Sequence, residues 1–190
     1  MAFARYYRED PHRFPNRAAH MEKDRKTLSL ARLSDINHKI NSSMELSDLL
    51  NVILETGKEI VHSEGSSLLL TNKSTGDLEF LIVQGDKREV IKGQTVPRGR
   101  GIVGIVAETE RPMIVPDAQN DPRFFHEIDS KSEFTTRNIL CVPMLVMGKL
   151  VGVLEAVNSI GRESFDQTDQ KLLTYLADQA AIAFNYRNLV

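Results

Sequence analysis

Cysteine is nearly absent from this chain, and long apolar runs are absent altogether. One cysteine in 190 residues cannot form an internal disulfide, a Cys-x-x-Cys redox pair or a zinc knuckle. Cys141 stands in the apolar stretch 139–142, which predicts a buried, inert thiol rather than a nucleophile. The longest apolar run, residues 139–148, contains Pro143 and is well short of the ~20 residues that span a bilayer.

An excess of charge is also missing. Lys and Arg number 24 against 26 Asp and Glu, a net charge of −2, so the chain as a whole is not built to hold nucleic acid or an anionic membrane. The first residues lack the apolar region of a secretory signal, and we expect a cytoplasmic protein. Apolar residues make up 41% of the chain, which is ample for a core without disulfide or metal staples.

The first 27 residues differ from the rest in composition. They carry seven Lys and Arg against four Asp and Glu, together with two prolines that interrupt any long helix and the aromatic residues Phe3, Tyr6, Tyr7 and Phe14. We interpret residues 1–27 as a basic aromatic arm, which is either a loose chain end or a segment that docks on a partner. Residues 28–190 are predicted to form one domain.

The spacing of apolar residues predicts helices at both ends of this domain and strands between them. Helical stripes favour helices over 22–41 and 46–61, and Asp166 is a good N-cap for a helix over 167–188. Strands are predicted at 66–70, 78–83, 90–96, 138–147 and 150–158, a short helix or turn at 101–107, an extended piece at 112–116, and a polar, irregular segment at 117–137. This order predicts an α+β fold with a mostly antiparallel central sheet, the terminal helices on one face and a short helical or loop lid on the other.

Two motifs that suggest chemistry are better explained by structure. Gly99, Gly101 and Gly104 spell G-x-G-x-x-G, but Pro112 ends any helix too early for a dinucleotide-binding crossover, so these glycines predict sharp backbone turns. Carboxylates and one histidine between Asp117 and Asp129 could ligate a cation, but a single loop without EF-hand spacing favours a solvated acidic segment and no metal. Sequence signatures of α/β-hydrolases, P-loop nucleoside triphosphatases and zinc proteases are missing, and we expect no catalytic activity.

Four stretches together resemble a GAF domain, the regulatory module of cyclic-nucleotide phosphodiesterases, some adenylyl cyclases and many bacterial signalling proteins. They are Ser66–Leu70, the glycine turn and short helix at 101–109, the polar loop at 116–124, and the apolar hairpin formed by 136–143 and 152–158. The likeness covers about residues 30–190. It implies the α+β fold described above and a pocket between the sheet and the lid.

Nucleotide-binding members of this family carry Asn-Lys, then Phe, three residues, and Asp-Glu. This chain has Asn158, Ser159, Phe165, Asp169 and Gln170. In the family the lysine pairs with the aspartate and braces the pocket, and Ser159 is too short and uncharged to do so. The resemblance therefore leaves binding of cyclic AMP or cyclic GMP open.

The resemblance also implies which residues bind the ligand. By position they are Ser67, Ile102, Val103, Asn120, Asp121, Phe125, Thr136 and Glu155. The family's Phe-Asp pair after the second strand is not matched, and Val83, Gln84 and Gly85 stand there instead. Glu155 interrupts an apolar run, and a buried carboxylate there needs a partner or water.

We therefore expect a non-catalytic sensory domain that binds a small molecule and signals through its terminal helices to an output domain or a partner protein. Apolar residues beyond one core stripe on these helices predict a homodimer, the residues being Leu28, Leu30, Ala31, Ala181, Ile182 and Ala183. Two alternatives remain open. One is a ligand-free dimerisation module, and the other is an enzyme like the free methionine sulfoxide reductases of this fold, which would need a second thiol besides Cys141.

Overall fold

The computed structural model of the chain describes residues 44–85, 91–132 and 134–187, together with Ser34. The chain divides into the units Met1–His38 and Lys39–Val190, and the fold presented here is that of the second unit. The predicted arm over 1–27 and the predicted helix over 22–41 lie outside the described residues, apart from Ser34, so the proposed boundary at residue 28 stays a prediction.

The second unit alternates helices and strands in an order close to the predicted one. Its elements are α1 (Leu46–Ile60), β1 (Ser63–Thr71), β2 (Leu78–Gln84), β3 (Thr95–Val96), α2 (Gly101–Thr109), β4 (Met113–Val115), α3 (His126–Ser132), β5 (Ile139–Val146), β6 (Lys149–Ser159) and α4 (Gln167–Arg187). Asp166 caps α4 as predicted, because its Oδ1 accepts from the backbone N–H groups of Thr168 and Asp169 at 2.7 and 2.9 Å. Asp169 Oδ2 in turn accepts from the N–H of Asp166 at 2.9 Å, a reciprocal capping box.

The strands form one six-stranded sheet in the order β3-β2-β1-β6-β5-β4. Every neighbouring pair is antiparallel, which confirms the predicted fold class. The apolar hairpin β5–β6 occupies inner positions of the sheet, as its nearly continuous apolar sequence predicted. Its turn lies at Met147 and Gly148, both with positive φ.

Alternation along the strands separates two faces of the sheet. Helices α1 and α4 pack together on one face, where Gly57 of α1 faces the Leu173 and Leu176 side chains of α4. Helix α2 packs on the other face, where Leu69, Val153 and Cys141 belong to the same buried cluster as Ile102 and Val106 of α2. Successive residues of β6 therefore point in turn to the helix pair and to the space beneath α2.

Two predicted segments differ from the structure. A strand was predicted over 90–96. Among its described residues, 91–96, only Thr95 and Val96 pair in register with β2, because Gly93 adopts a φ of 80° and turns the chain. Gly93 also donates its N–H to Phe80 O at 2.8 Å. The segment predicted to be irregular over 117–137 contains the helix α3.

The G-x-G-x-x-G motif builds a tight turn into α2, as predicted. Gly101 has a φ of 66°, and a Cβ there would lie 2.9 Å from Phe125 Cβ. A Cβ at Gly104 would lie 2.5 Å from the carbonyl oxygen of Pro97, closer than real Cβ atoms approach. The helix that follows has nine residues and leads to β4, which is antiparallel to its neighbour. The motif therefore does not form a dinucleotide-binding crossover.

Candidate functional site

A cleft lies between the α2 face of the sheet and the segment around α3. It measures about 780 Å³ with its open mouth included. Strands β1, β2, β5 and β6 form its floor, and the first turn of α2 forms one wall. The cleft is covered by Phe124, Phe125, Ile128, Asp129, Phe134 and Thr136. This position matches the predicted pocket between sheet and lid.

Six of the eight predicted ligand-binding residues line this cleft, namely Ser67, Ile102, Val103, Phe125, Thr136 and Glu155. Asn120 and Asp121 are not among its lining residues. Asn120 Nδ2 donates to Asp117 Oδ2 at 2.7 Å. Asp121 forms an ion pair with Arg123 at 2.6 Å, and the hydrogen bonds from Arg123 lower the pKa of Asp121 to about 2. Both side chains therefore stabilise the loop that leads to the lid.

Glu155 projects from β6 into the floor of the cleft. Its Oε2 accepts a hydrogen bond from the Ser67 hydroxyl on the adjacent strand at 2.8 Å, and the two residues are cross-strand partners. Burial raises the pKa of the Glu155 carboxyl to about 7, the Ser67 hydrogen bond opposes this rise, and the charge of Asp129 adds to it. The partner that the sequence required for this carboxylate is thus a hydroxyl group, not a cation.

Asp129 on α3 is a cleft residue that the sequence argument assigned to a solvated acidic loop. It lines the cleft, where its Oδ1 accepts from the Thr136 hydroxyl at 2.6 Å and its Oδ2 from the Thr136 N–H at 2.8 Å. Gln119 Nε2 donates to the same Oδ2 at 3.0 Å. These bonds hold α3 against the start of β5, and no spacing in the sequence indicated them.

The end of the covering segment is fixed to the sheet by Asn158. Its Nδ2 donates to Thr135 O and to Glu64 Oε2, both at 2.9 Å, and its Oδ1 accepts from the Arg137 N–H at 2.6 Å. Arg137 also pairs with Glu64 at 2.8 Å, and this bond is the main cause of the lowered pKa of Glu64. The covering segment is therefore tied to the sheet at Thr135 and Arg137.

Further aromatic side chains belong to the lining of the cleft. Besides Phe125, the cleft is lined by Phe80, Phe124 and Phe134, which the sequence argument did not assign. The alternation of Leu78, Phe80 and Ile82 in β2 is a signal that would have placed Phe80 on an inner face. Gln84, at the position of the family's base-reading acceptor, lines the cleft but donates its Nε2 to Asn51 Oδ1 of α1 at 3.1 Å.

The charges around the cleft are acidic. Two carboxylates line it, and no Lys, Arg or His is found among its described lining residues. Arg100 precedes α2, and its Cζ lies 5.0 Å from the centre of the Phe125 ring. The first-turn amides of α2 at Ile102 and Val103 provide the partial positive charge of a helix N-terminus beside the cleft.

The cation that position 159 does not supply to Asp169 comes from another residue. Arg162 Nη1 lies 2.8 Å from Asp169 Oδ2, and Asp169 is fully buried. The same guanidinium contacts Asp166 Oδ2 at 3.0 Å and donates from Nη2 to Val61 O at 3.0 Å. Asp169 therefore has a cationic partner although position 159 is Ser. Arg162 joins the ends of α1 and β6 to the start of α4.

Cys141 is buried in β5 as predicted, opposite Glu155 in the register. Burial, and then the charge of Glu155, raise the pKa of its thiol well above the ordinary value, so the thiolate form is disfavoured. Within the described ranges, no group of three or more His, Cys, Asp or Glu side chains could hold a metal ion, and no helix is long and apolar enough to cross a membrane.

This combination of an antiparallel sheet, two helices on one face and a covered cleft on the other is the architecture of a class of regulatory modules. The GAF domain family matches residues 45–184, and the chain belongs to this family. The resemblance seen in the sequence is thereby confirmed. The domain is a regulatory module by family.

Two curated relatives are cyclic-nucleotide phosphodiesterases. The chain is 32% identical over 160 residues to the dual 3′,5′-cyclic-AMP and -GMP phosphodiesterase 11A of Takifugu rubripes, covering 79% of this chain and 18% of that protein. It is 27% identical over 149 residues to the probable 3′,5′-cyclic phosphodiesterase pde-5 of Caenorhabditis elegans, covering 72% and 20%. The chain thus spans about a fifth of the length of these relatives.

Solved structures of several differently named proteins share this fold. The GAF domain of a phosphoenolpyruvate-protein phosphotransferase from Coxiella burnetii aligns with a TM-score of 0.76 at 22% identity, covering 85% of this chain and 95% of that one. A free methionine-R-sulfoxide reductase from Neisseria meningitidis aligns with a TM-score of 0.71 at 22% identity, covering 86% and 93%. At such identities the likeness establishes the fold alone.

Proposed function

We propose that this GAF domain is a non-catalytic sensor that binds a small organic molecule in the cleft. The observation that carries this proposal is the cleft itself, whose lining is mostly apolar and includes the carboxyl group of Glu155, which accepts a hydrogen bond from the Ser67 hydroxyl at 2.8 Å. Apolar walls with a few placed polar groups are the usual composition of a ligand site. We further propose that the domain works in the cytoplasm and signals to an output domain or a partner protein.

Cyclic AMP and cyclic GMP are the first candidate ligands. Two relatives are phosphodiesterases for such nucleotides by name, and the cleft offers aromatic surface for a base and the first-turn amides of α2 for a cyclic phosphate. Glu155 and Thr136 also line the cleft and would offer partners to the polar edge of a base. The two carboxylates and the shortage of cations count against an anionic ligand, so the test includes neutral compounds.

A thermal-shift screen, followed by calorimetry, tests the proposal directly. Saturation at 100 times the dissociation constant stabilises a domain by ~2.7 kcal/mol, which raises the Tm of a domain of this size by roughly 5–10 °C. The panel contains cyclic AMP, cyclic GMP, their linear 5′-monophosphates, amino acids and 2-oxo acids. Glu155→Ala should abolish the shift, whereas Glu79→Ala on the exposed side of β2 should retain it.

A panel that leaves the Tm unchanged would contradict ligand binding and favour the ligand-free dimerisation module. The reductase alternative has little support, because its chemistry would have to rest on one buried thiol of raised pKa, Cys141. The phosphodiesterase activity of the relatives is not proposed for this chain, which spans about a fifth of their length.

We also propose that the domain forms a homodimer through its terminal helices. Of the three residues of α4 expected to be surplus, Ala181 and Ala183 are buried within the chain, and Ile182 is 51% exposed. The part of the argument that rested on the two alanines is therefore wrong. The support from the described residues is reduced to Ile182.

A further inference from the structure

The two carboxyl oxygens of Glu155 differ in their hydrogen bonding. Its Oε2 accepts from the Ser67 hydroxyl at 2.8 Å, whereas its Oε1 accepts no hydrogen bond from the described part of the chain. The residue lines the cleft and keeps partial exposure to it. A molecule in the cleft can therefore reach Oε1, and the chemical state of this carboxyl group decides what the molecule must offer.

The groups that face Glu155 do not compensate a negative charge. From α3 comes Asp129, a second carboxylate, and from β5 comes the buried thiol of Cys141. Strand β1 contributes the neutral Ser67, and the lining residues from β2 and the first turn of α2 carry no charge. An ionised Glu155 thus meets a like charge and an apolar surround, and both conditions favour the protonated form.

A protonated and an ionised carboxyl group select different ligands. The ionised form accepts two hydrogen bonds from N–H groups, whereas the protonated form donates one and accepts one. The burial that raises the pKa of Glu155 to about 7 places this change within the range of physiological pH.

Building on the proposed function, we propose that Glu155 is a proton-exchanging specificity residue. A planar ligand that presents only N–H donors to Oε1 displaces a proton from the carboxyl group when it binds. The O–H bond breaks, its electron pair stays on the carboxylate, and the proton passes to the solvent. A ligand that presents a donor next to an acceptor binds the protonated form and leaves the proton in place. Affinity for donor ligands therefore rises with pH.

Cyclic GMP and cyclic AMP are suitable probes, because neither base titrates between pH 5.5 and 8. The guanine edge offers two N–H donors, and the adenine edge one donor and one acceptor. With a Glu155 pKa of about 7, the Kd of cyclic GMP should be ~30-fold higher at pH 5.5 than at pH 8. The Kd of cyclic AMP should not fall over the same interval.

Calorimetry at the two pH values, in buffers of different ionisation enthalpy, measures the affinities and counts the protons released. Glu155→Gln should bind with a Kd that no longer depends on pH and with no proton release. Glu79→Gln, which removes the same charge from an exposed position, should behave as the parent chain. Equal affinity of the parent chain for cyclic GMP at both pH values would overturn the inference and leave the proposed function intact.

A ligand-free measurement separates the two proposals further. Carbon-13 NMR of glutamate carboxyl groups, assigned with Glu155→Gln, should show Glu155 titrating near pH 7 and moving to lower pH in Asp129→Asn. Titration of Glu155 together with the exposed glutamates would overturn proton exchange whatever the ligand. Failure of both nucleotides to bind a folded protein would instead overturn their place in the proposed function, and this inference with it.

Discussion

Glu155→Gln should change the dependence of stability on pH in a direction that most substitutions of a glutamate would not. The folded chain holds the Glu155 pKa at about 7 against an ordinary value of 4.5. Below pH 4.5 both the folded and the unfolded chain keep the proton, so the site has no effect on stability. Between pH 4.5 and 7 only the unfolded chain releases the proton, and the free energy of unfolding falls as pH rises.

The magnitude follows from the same two values. At ~1.36 kcal/mol for each tenfold change in acidity, the penalty in the parent chain reaches about 3 kcal/mol above pH 7. Glutamine keeps an oxygen that accepts from Ser67 but carries no charge. The variant should therefore match the parent chain near pH 4.5 and exceed it at pH 8 by up to about 3 kcal/mol, or roughly 6–12 °C in Tm.

Urea unfolding followed by circular dichroism at pH 4.5, 6 and 8 measures this difference. Glu79→Gln serves as the control, because it removes one carboxylate from the exposed side of β2. Curves of stability against pH that run parallel for Glu155→Gln and the parent chain would refute the argument that this carboxyl group is desolvated. A loss of stability at pH 8 would show that the charged form is stabilised by the cleft.

Three further predictions concern the brace, the lid and the assembly. Arg162→Ala should lower the free energy of unfolding by about 3 kcal/mol, because it removes the cation from the fully buried Asp169. Arg162→Lys should lower it by less. Equal stability of the two variants and the parent chain in urea would contradict the role of Arg162. Hydrogen exchange in residues 117–134 should be fast in the free protein and slowed by ligand, and uniformly slow exchange would indicate a permanently closed insert. Light scattering at micromolar concentration should give about twice the chain mass of 21.4 kDa, and a mass of one chain would rule out the dimer.

Local sequence patterns predicted the helices and strands because short stretches of chain determine most of these elements. The helical stripe of α1, the capping carboxylate at Asp166 and the apolar hairpin β5–β6 each specify an element without reference to distant residues. The prediction of a strand over 90–96 was wrong because the conformation there depends on a contact with a distant residue. Its alternation was real, but the turn at Gly93 is set by a bond to Phe80 on another strand.

The sequence predicted those site residues whose positions the family resemblance supplied. It did not predict the residues whose place in the site depends on contacts between distant parts of the chain. Glu155 was conspicuous because a carboxylate interrupts an apolar run. Asp129 could not be identified in this way, because its hydrogen bond with Thr136 forms only when the chain folds back after α3. Arg162 was missed because the family motif directed attention to position 159, whereas a longer side chain three residues later reaches Asp169.

The central claim is that the cleft binds a small molecule with Glu155 as its polar anchor. Amide chemical-shift mapping of the nitrogen-15-labelled chain, with cyclic GMP and cyclic AMP added at pH 8, tests it most directly. We expect saturable shifts confined to the residues around Ser67, the first turn of α2, α3 and Glu155, and their disappearance in Glu155→Ala. Shifts that fall elsewhere on the domain, or that persist unchanged in the variant, would contradict the claim.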